Sequence, residues 1–255
     1  MDAIEDQSAR IEAAFIGALA GESAAGTAAG AADLLGVAES VAATGGFDEA
    51  DLRHRGLERP SRGGTAGLLL RALPYGLLTP LDRPRLRRDA YRCLALAGGD
   101  EATAITGVAA ALLVADLLRF DLGTALVRVR QSLLEDAPMA LLQRLAVLRD
   151  IPPPEEPEQA APADGATPFP ADPTHVLQRA ITAVDQDGSI DHILAAAEGA
   201  PAVALTLAGA LAGARGGLAV VDGVDREHLP HADRAIAIAH RLGDRLYARE
   251  PESTT

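Results

Sequence analysis

The side chains able to do chemistry in this 255-residue chain are few and scattered. Cys93 is the only cysteine, and Tyr91-Arg-Cys93-Leu-Ala-Leu has the pattern of a helix interior. That setting predicts a packed thiol rather than a nucleophile. A single cysteine also allows no intrachain disulfide and is compatible with a reducing compartment. His228 and His231 are three apart, with His240 further on, which is the residue type of a metal site. They lie among Asp225, Glu227 and Asp233, however, in a polar segment that reads as solvated surface. Arg71 is embedded in the apolar run Thr65–Leu78, with Pro74 three residues later. A buried guanidinium needs a partner. It could hold a phosphate or carboxylate with two parallel bonds, or close a structural ion pair. All 23 basic residues are arginine, so Schiff-base chemistry on a lysine is excluded. No Gly-rich loop follows a strand, and the nucleotide-fold phosphate motifs are therefore absent.

The elements that must position these groups read as helices. Hydrophobic residues make up 48% of the chain but aromatic ones only 3%, with no Trp. A core built from Ala, Leu and Val suits closely spaced helices better than sheets. No stretch alternates at period two, so the fold class is all-α. A helical stripe over residues 8–20 runs into small residues from Ala18 to Ala32, where Glu22 is the only charge; this predicts an interruption. Helices follow over 31–43, closed by Gly45-Gly46, and over 82–96, with Asp82 as cap. Residues 102–119 form a long apolar helix with Asp100 as N-cap, followed by 123–134, 138–148, 174–184 and 189–197. After Pro201 comes a segment made almost wholly of Ala, Leu and Gly, with Gly209 and Gly213 on one face. A helix apolar all round belongs at the centre of a bundle. The last amphipathic segment is 231–247. Residues 151–173 are rich in Pro and acids and read as a linker or insertion within one domain spanning 1–255.

Net charge is −13 and the isoelectric point is near 4.8. Both argue against nucleic acid and anionic membrane as partners. The N-terminus, Met1-Asp-Ala-Ile-Glu-Asp-Gln, has no basic region before an apolar one and does not read as a signal peptide. The apolar runs at 105–115 and 200–214 fall short of a membrane span. A cytoplasmic, soluble protein is the expectation.

Five segments carry a family likeness. Phe15-Ile-Gly17-Ala-Leu-Ala-Gly21-Glu22-Ser-Ala is similar to a G-x-x-x-G-D-A opening, and Leu35–Leu52 to the helix after a T-D-D-T motif. Thr65-Ala-Gly67-Leu-Leu-Leu-Arg71-Ala-Leu-Pro74-Tyr-Gly76 is similar to G-N-G-x-x-M-R-x-x-P-L-G, and Leu96-Ala-Gly98-Gly-Asp100-Glu to an L-T-H-x-D-P turn. Glu198-Gly199-Ala200-Pro201-Ala202-Val203 stands where G-G-D-T-D-T precedes a core helix. In this order they resemble the ADP-ribosylglycohydrolases over the whole chain. The resemblance implies an all-α orthogonal helical bundle, whose active members hold two Mg²⁺ ions and cleave ADP-ribose from a substrate.

The departures bear on function. T-D-D-T falls on Ala28-Ala29-Gly30-Ala31, the two Asp of D-T-D-T on Ala200 and Ala202, its closing Thr on Val203, and the turn His on Gly98. Mg²⁺ requires hard oxygen ligands, and methyl groups supply none. The resemblance therefore implies no metal and no other cofactor. It leaves Thr65, Arg71, Gly98, Asp100, Glu198 and Gly199 as ligand-binding candidates. The first reading is a pseudoenzyme, a binding, scaffolding or regulatory protein with an unknown protein or small-molecule partner. The second is a metal-free enzyme using Glu22, Asp33 and Asp100 as acid, base or nucleophile; against it, Asp33 and Asp100 fit helix caps and Glu22 fits a solvated position. The third is a protein that binds ADP-ribose or a nucleotide without cleaving it.

Overall fold

Two helices that touch through glycine define the centre of the molecule: α1 (Asp2–Ala25) and α11 (Ala202–Gly216), the most extensive helix pair in the structure. A methyl group on Gly17 would run into the carbonyl oxygen of Gly209, and one on Gly209 into that of Gly17. Gly21 lies equally close to the Leu205 carbonyl, and Gly213 to that of Ala13. The predicted interruption at 18–32 is therefore displaced to the very end of the segment. Helix α1 continues to Ala25, because its small residues are the surface on which α11 lies and not a break. Glycine costs helix propensity, and close backbone approach offsets that cost.

The computed structural model describes residues 2–146, 172–186 and 188–247. Between α1 and α11 come α2 (Ala31–Thr44), α3 (Glu49–His54), α4 (Gly64–Leu78), α5 (Arg83–Leu96), α6 (Glu101–Leu117) and α7 (Leu122–Leu133). These are followed by α8 (Met139–Arg144), α9 (Pro173–Val184) and α10 (Ile190–Ala196). Beyond α11 are two 3-10 turns, Gly217–Val221 and Arg226–His228, and α12 (Ala232–Tyr247). No strand occurs among the described residues. Most of the Pro- and acid-rich segment lies outside them. Its last two residues, Asp172 and Pro173, belong to α9 instead: the Asp172 carboxylate accepts the Thr174 N–H at 3.0 Å, and Pro173 opens the helix.

Helices α4, α6 and α11 are buried on nearly every side. Helix α4 packs on α6 and α2, α5 on α6 and α4, α9 on α11, and α12 on α1 and α2. One hydrophobic cluster runs through all of them, from Ile11 to Leu242. Counted with its 3-10 extension, Ala202–Val221 reaches 20 residues and is long and apolar enough to cross a membrane, which corrects the shorter length expected from sequence. Its burial against α1, α9 and α10 gives it the place of a core helix.

Glu39 on α2 ties three elements together. Its carboxylate accepts from Arg234 on α12 at 2.7 and 3.0 Å and from Arg55, after α3, at 2.9 Å. The Arg234 hydrogen bond is the main cause that holds the Glu39 carboxyl below its ordinary 4.5, against the opposing effect of burial. A folded-state value below the unfolded one contributes stability that is present above about 4.5 and lost as pH falls through the lowered value. Glu39→Gln should therefore flatten the acid limb of a thermal-melting-versus-pH curve. An unchanged limb would show that this cluster does not contribute to acid unfolding.

Candidate functional site

The starts of α2, α4 and α11 meet at one end of the bundle. Just ahead of α4, a Cβ on Gly63 would collide with the Ala29 carbonyl oxygen and lie 2.7 Å from Cγ2 of Val203, the second residue of α11. Gly67, one turn into α4, leaves room for Ser61 and the same Ala29 carbonyl. Ala29 and Val203 are both buried. The segments matched to T-D-D-T and D-T-D-T are thus brought to one place, and what they present there is a carbonyl oxygen, a glycine and a valine methyl.

Glu22, at the end of α1, reaches over the start of α2. Its Oε1 accepts the N–H groups of Ala29, Gly30 and Ala31 at 2.6, 2.8 and 3.0 Å. The first turn of a helix leaves its N–H groups without internal partners, and Gly30 itself carries no capping side chain. A carboxylate from a neighbouring helix fills that role and complements the helix dipole. Asp33, in the first turn of α2, caps nothing. Its Oδ2 accepts from Nε and Nη2 of Arg71 at 3.2 and 2.8 Å. The remaining nitrogen, Nη1, donates to the Leu57 and Arg59 carbonyls at 2.6 and 2.8 Å. Arg71 is 2% exposed, and four of its five guanidinium N–H groups are taken by the chain itself.

Asp100 and Thr65 come together with residues the sequence had not singled out. They line a cleft of ≈ 220 Å³ with Thr103, Thr106, Asp172 and Thr174, at the starts of α4, α6 and α9. Asp100 caps α6, accepting the Thr103 N–H at 2.8 Å. Hydrogen bonds from the Thr103 side chain and then its backbone hold the Asp100 carboxyl below the usual range. The Thr106 and Thr174 hydroxyls are 3.4 Å apart, and Thr106 also donates to the Ala102 carbonyl. Asp172 and Thr174 were legible as an Asp-Pro-Thr helix start, a signal hidden by the proline-rich sequence before it.

Gly98 ends α5 with a φ of +80° and nothing opposite its α-carbon. A histidine there would be strained. Glu198 and Gly199 line neither this cleft nor the α2 start; they lie on a separate groove beside α10. The sequence candidates therefore divide among five places, and Glu22, Asp33 and Asp100 share no cleft.

The remaining reactive side chains are accounted for. Burial pushes the Cys93 thiol up to about 11, against smaller opposing effects of Tyr75 and Arg71, so it is held as a thiol. His228 pairs with Asp225 at 2.8 Å, and His240 lies 3.6 Å from Glu12. Among the described residues no three His, Cys, Asp or Glu side chains are grouped so as to hold a metal.

No family model matches the chain, and no curated protein does. Its architecture does match solved structures. One, described as "ADP-ribosylglycohydrolase-related protein complex", superposes with a TM-score of 0.70 over 93% of this chain and 99% of that one, at 19% identity. The protein is an all-α helical bundle of the ADP-ribosylglycohydrolase-like fold.

Proposed function

We propose that this chain is a non-catalytic relative of the ADP-ribosylglycohydrolases, one domain that acts as a binding, scaffolding or regulatory protein in the cytoplasm. The observation that carries the reading is Glu22. Its carboxylate reaches the segment matched to T-D-D-T and gives one oxygen to three backbone N–H groups, at 2.6–3.0 Å. The residues around it do not fit a dinuclear Mg²⁺ centre. That centre needs several hard oxygen ligands in near-octahedral order, with carboxylates bridging two like charges. Here Ala200, Ala202 and Val203 offer methyl groups, and Val203 packs against Gly63. Asp33 and Asp100, the other acids of a metal-free mechanism, are engaged by Arg71 and by the start of α6. The structural neighbour is described as a protein complex, which supports a partner-binding role here. The single, buried Cys93 supports a reducing location.

Calorimetric titration with Mg²⁺, followed by an assay for ADP-ribose release from an ADP-ribosylated protein, tests the proposal. Neither saturable heat nor release is expected. Two tight sites, or metal-dependent release, would overturn it. Glu22→Ala should lower stability by about 1–3 kcal/mol, the cost of leaving buried donors unpaired, and leave the response to Mg²⁺ unchanged.

A further inference from the structure

Between the end of α1, one side of α10 and the start of α11 lies a groove of ≈ 580 Å³, more than twice the volume of the threonine cleft. Its apolar lining is made of small side chains, Ala24, Ala25, Ala195 and Ala202, together with the buried Leu194 and Leu205. Two carboxylates stand on its rim, Asp191 in the first turn of α10 and Glu198 just beyond its end. Both are exposed, and neither has a hydrogen bond or ion pair among the described residues. This sets them apart from Glu12, Glu39, Asp51, Asp89 and Asp116, each of which meets an arginine. No arginine lines the groove. In a chain of net charge −13, an apolar trough flanked by two unneutralised acids is complementary to a cation with aliphatic surface.

We propose that this groove docks a basic, extended segment of a partner protein, with two arginine or lysine side chains set among small aliphatic residues. The spacing follows from α10. Asp191 and Glu198 are seven positions apart along α10 and its end, roughly 10 Å at the helical rise. An extended chain advances about 3.3 Å per residue, so the two cations stand two or three positions apart. The long stems of such side chains cover apolar surface while their charged heads reach the rim. The small alanine side chains of the lining let the backbone of the segment approach closely. The groove's volume suits a length of chain rather than a small ammonium ion. The groove takes in Ala200 and Ala202 of the segment matched to D-T-D-T but neither Glu22 nor the starts of α2 and α4, and peptide binding is read separately from the Mg²⁺ titration.

The test is fluorescence anisotropy of a labelled, end-blocked peptide, Ala-Leu-Arg-Ala-Ala-Arg-Leu-Ala, titrated with the full chain at low salt. The same peptide with citrulline for arginine is the neutral control. Saturable binding is expected, weakened at least tenfold for the citrulline peptide and for the Asp191→Asn, Glu198→Gln double variant. Ala195→Trp, which narrows the groove and keeps both charges, should weaken it as much. Glu227→Gln with Asp233→Asn, a pair of exposed acids outside the groove, should leave it unchanged. Lack of saturable binding overturns the proposal. So does an equal loss from the remote pair, which would mark general charge attraction, or no loss from Ala195→Trp. Competition by spermine as effective as that by unlabelled peptide would assign the groove to a small polycation instead and overturn the proposal as well.

Discussion

Arg71→Met should lower the unfolding free energy by about 3–5 kcal/mol, the range for breaking a buried ion pair from one side. The side chain is 2% exposed and joins α4 to Asp33 on α2 and to the Leu57 and Arg59 carbonyls after α3. Methionine fills much of the volume but donates nothing, so a carboxylate and two carbonyl oxygens lose their partner together. Asp33→Asn should cost less, because an amide oxygen can still accept from the guanidinium and the two carbonyl bonds remain. The double variant should cost less than the sum of the singles, since both remove one shared interaction. Urea denaturation of the four proteins measures this. A loss below about 1 kcal/mol for Arg71→Met, the usual value of an exposed pair, would contradict the structural role. Stabilisation of the unmodified protein by inorganic phosphate, lost in Arg71→Met, would show instead that the guanidinium is available to an anion.

Gly209→Ala should destabilise by about 3 kcal/mol, at the upper end of overpacking penalties. Two effects oppose each other here. Alanine is a better helix former than glycine by about 1 kcal/mol, which favours the substitution. The new methyl, however, would overlap the Gly17 carbonyl oxygen, part of another helix's backbone that no rotamer change can move. Separating α1 from α11 would also open the contacts of Gly21 with Leu205 and of Gly213 with Ala13. The steric effect therefore wins. Gly123→Ala is the control: it lies on the exposed face of α7, where the new methyl meets only Asp121 Oδ1 at 3.3 Å. That variant should be neutral or slightly more stable. Equal melting temperatures for Gly209→Ala and the unmodified chain would show that the two helices can separate without cost.

Much of the fold could be read from the residues. The caps Asp48, Asp82 and Asp100 each accept the N–H three residues on, as their positions before helical patterns suggest. Gly45 closes α2 in the left-handed conformation. These are local signals, determined by groups a few residues apart, and they survive without knowledge of the rest. Boundaries failed where small residues carried two meanings. The glycines and alanines of 17–25 suit a break in an isolated segment and a contact surface in a packed one. Only the presence of α11 decides between them.

The site was less legible for the same reason. By itself the sequence determined an all-α chain, a central Ala-Leu-Gly helix and a lone buried thiol. It showed that Glu22, Asp33, Arg71 and Asp100 were present, but not what each was for. Their partners are backbone N–H groups, carbonyl oxygens and side chains up to 38 residues away in sequence. The tertiary structure decided that Glu22 secures α2 and that Asp33 neutralises Arg71. It also decided that Asp100 faces a threonine-lined cleft, and that Asp191 and Glu198 are unpaired among the described residues, on a groove. A carboxylate's role depends on which donors the fold brings within about 3 Å of it, and that distance is a property of packing rather than of spacing along the chain.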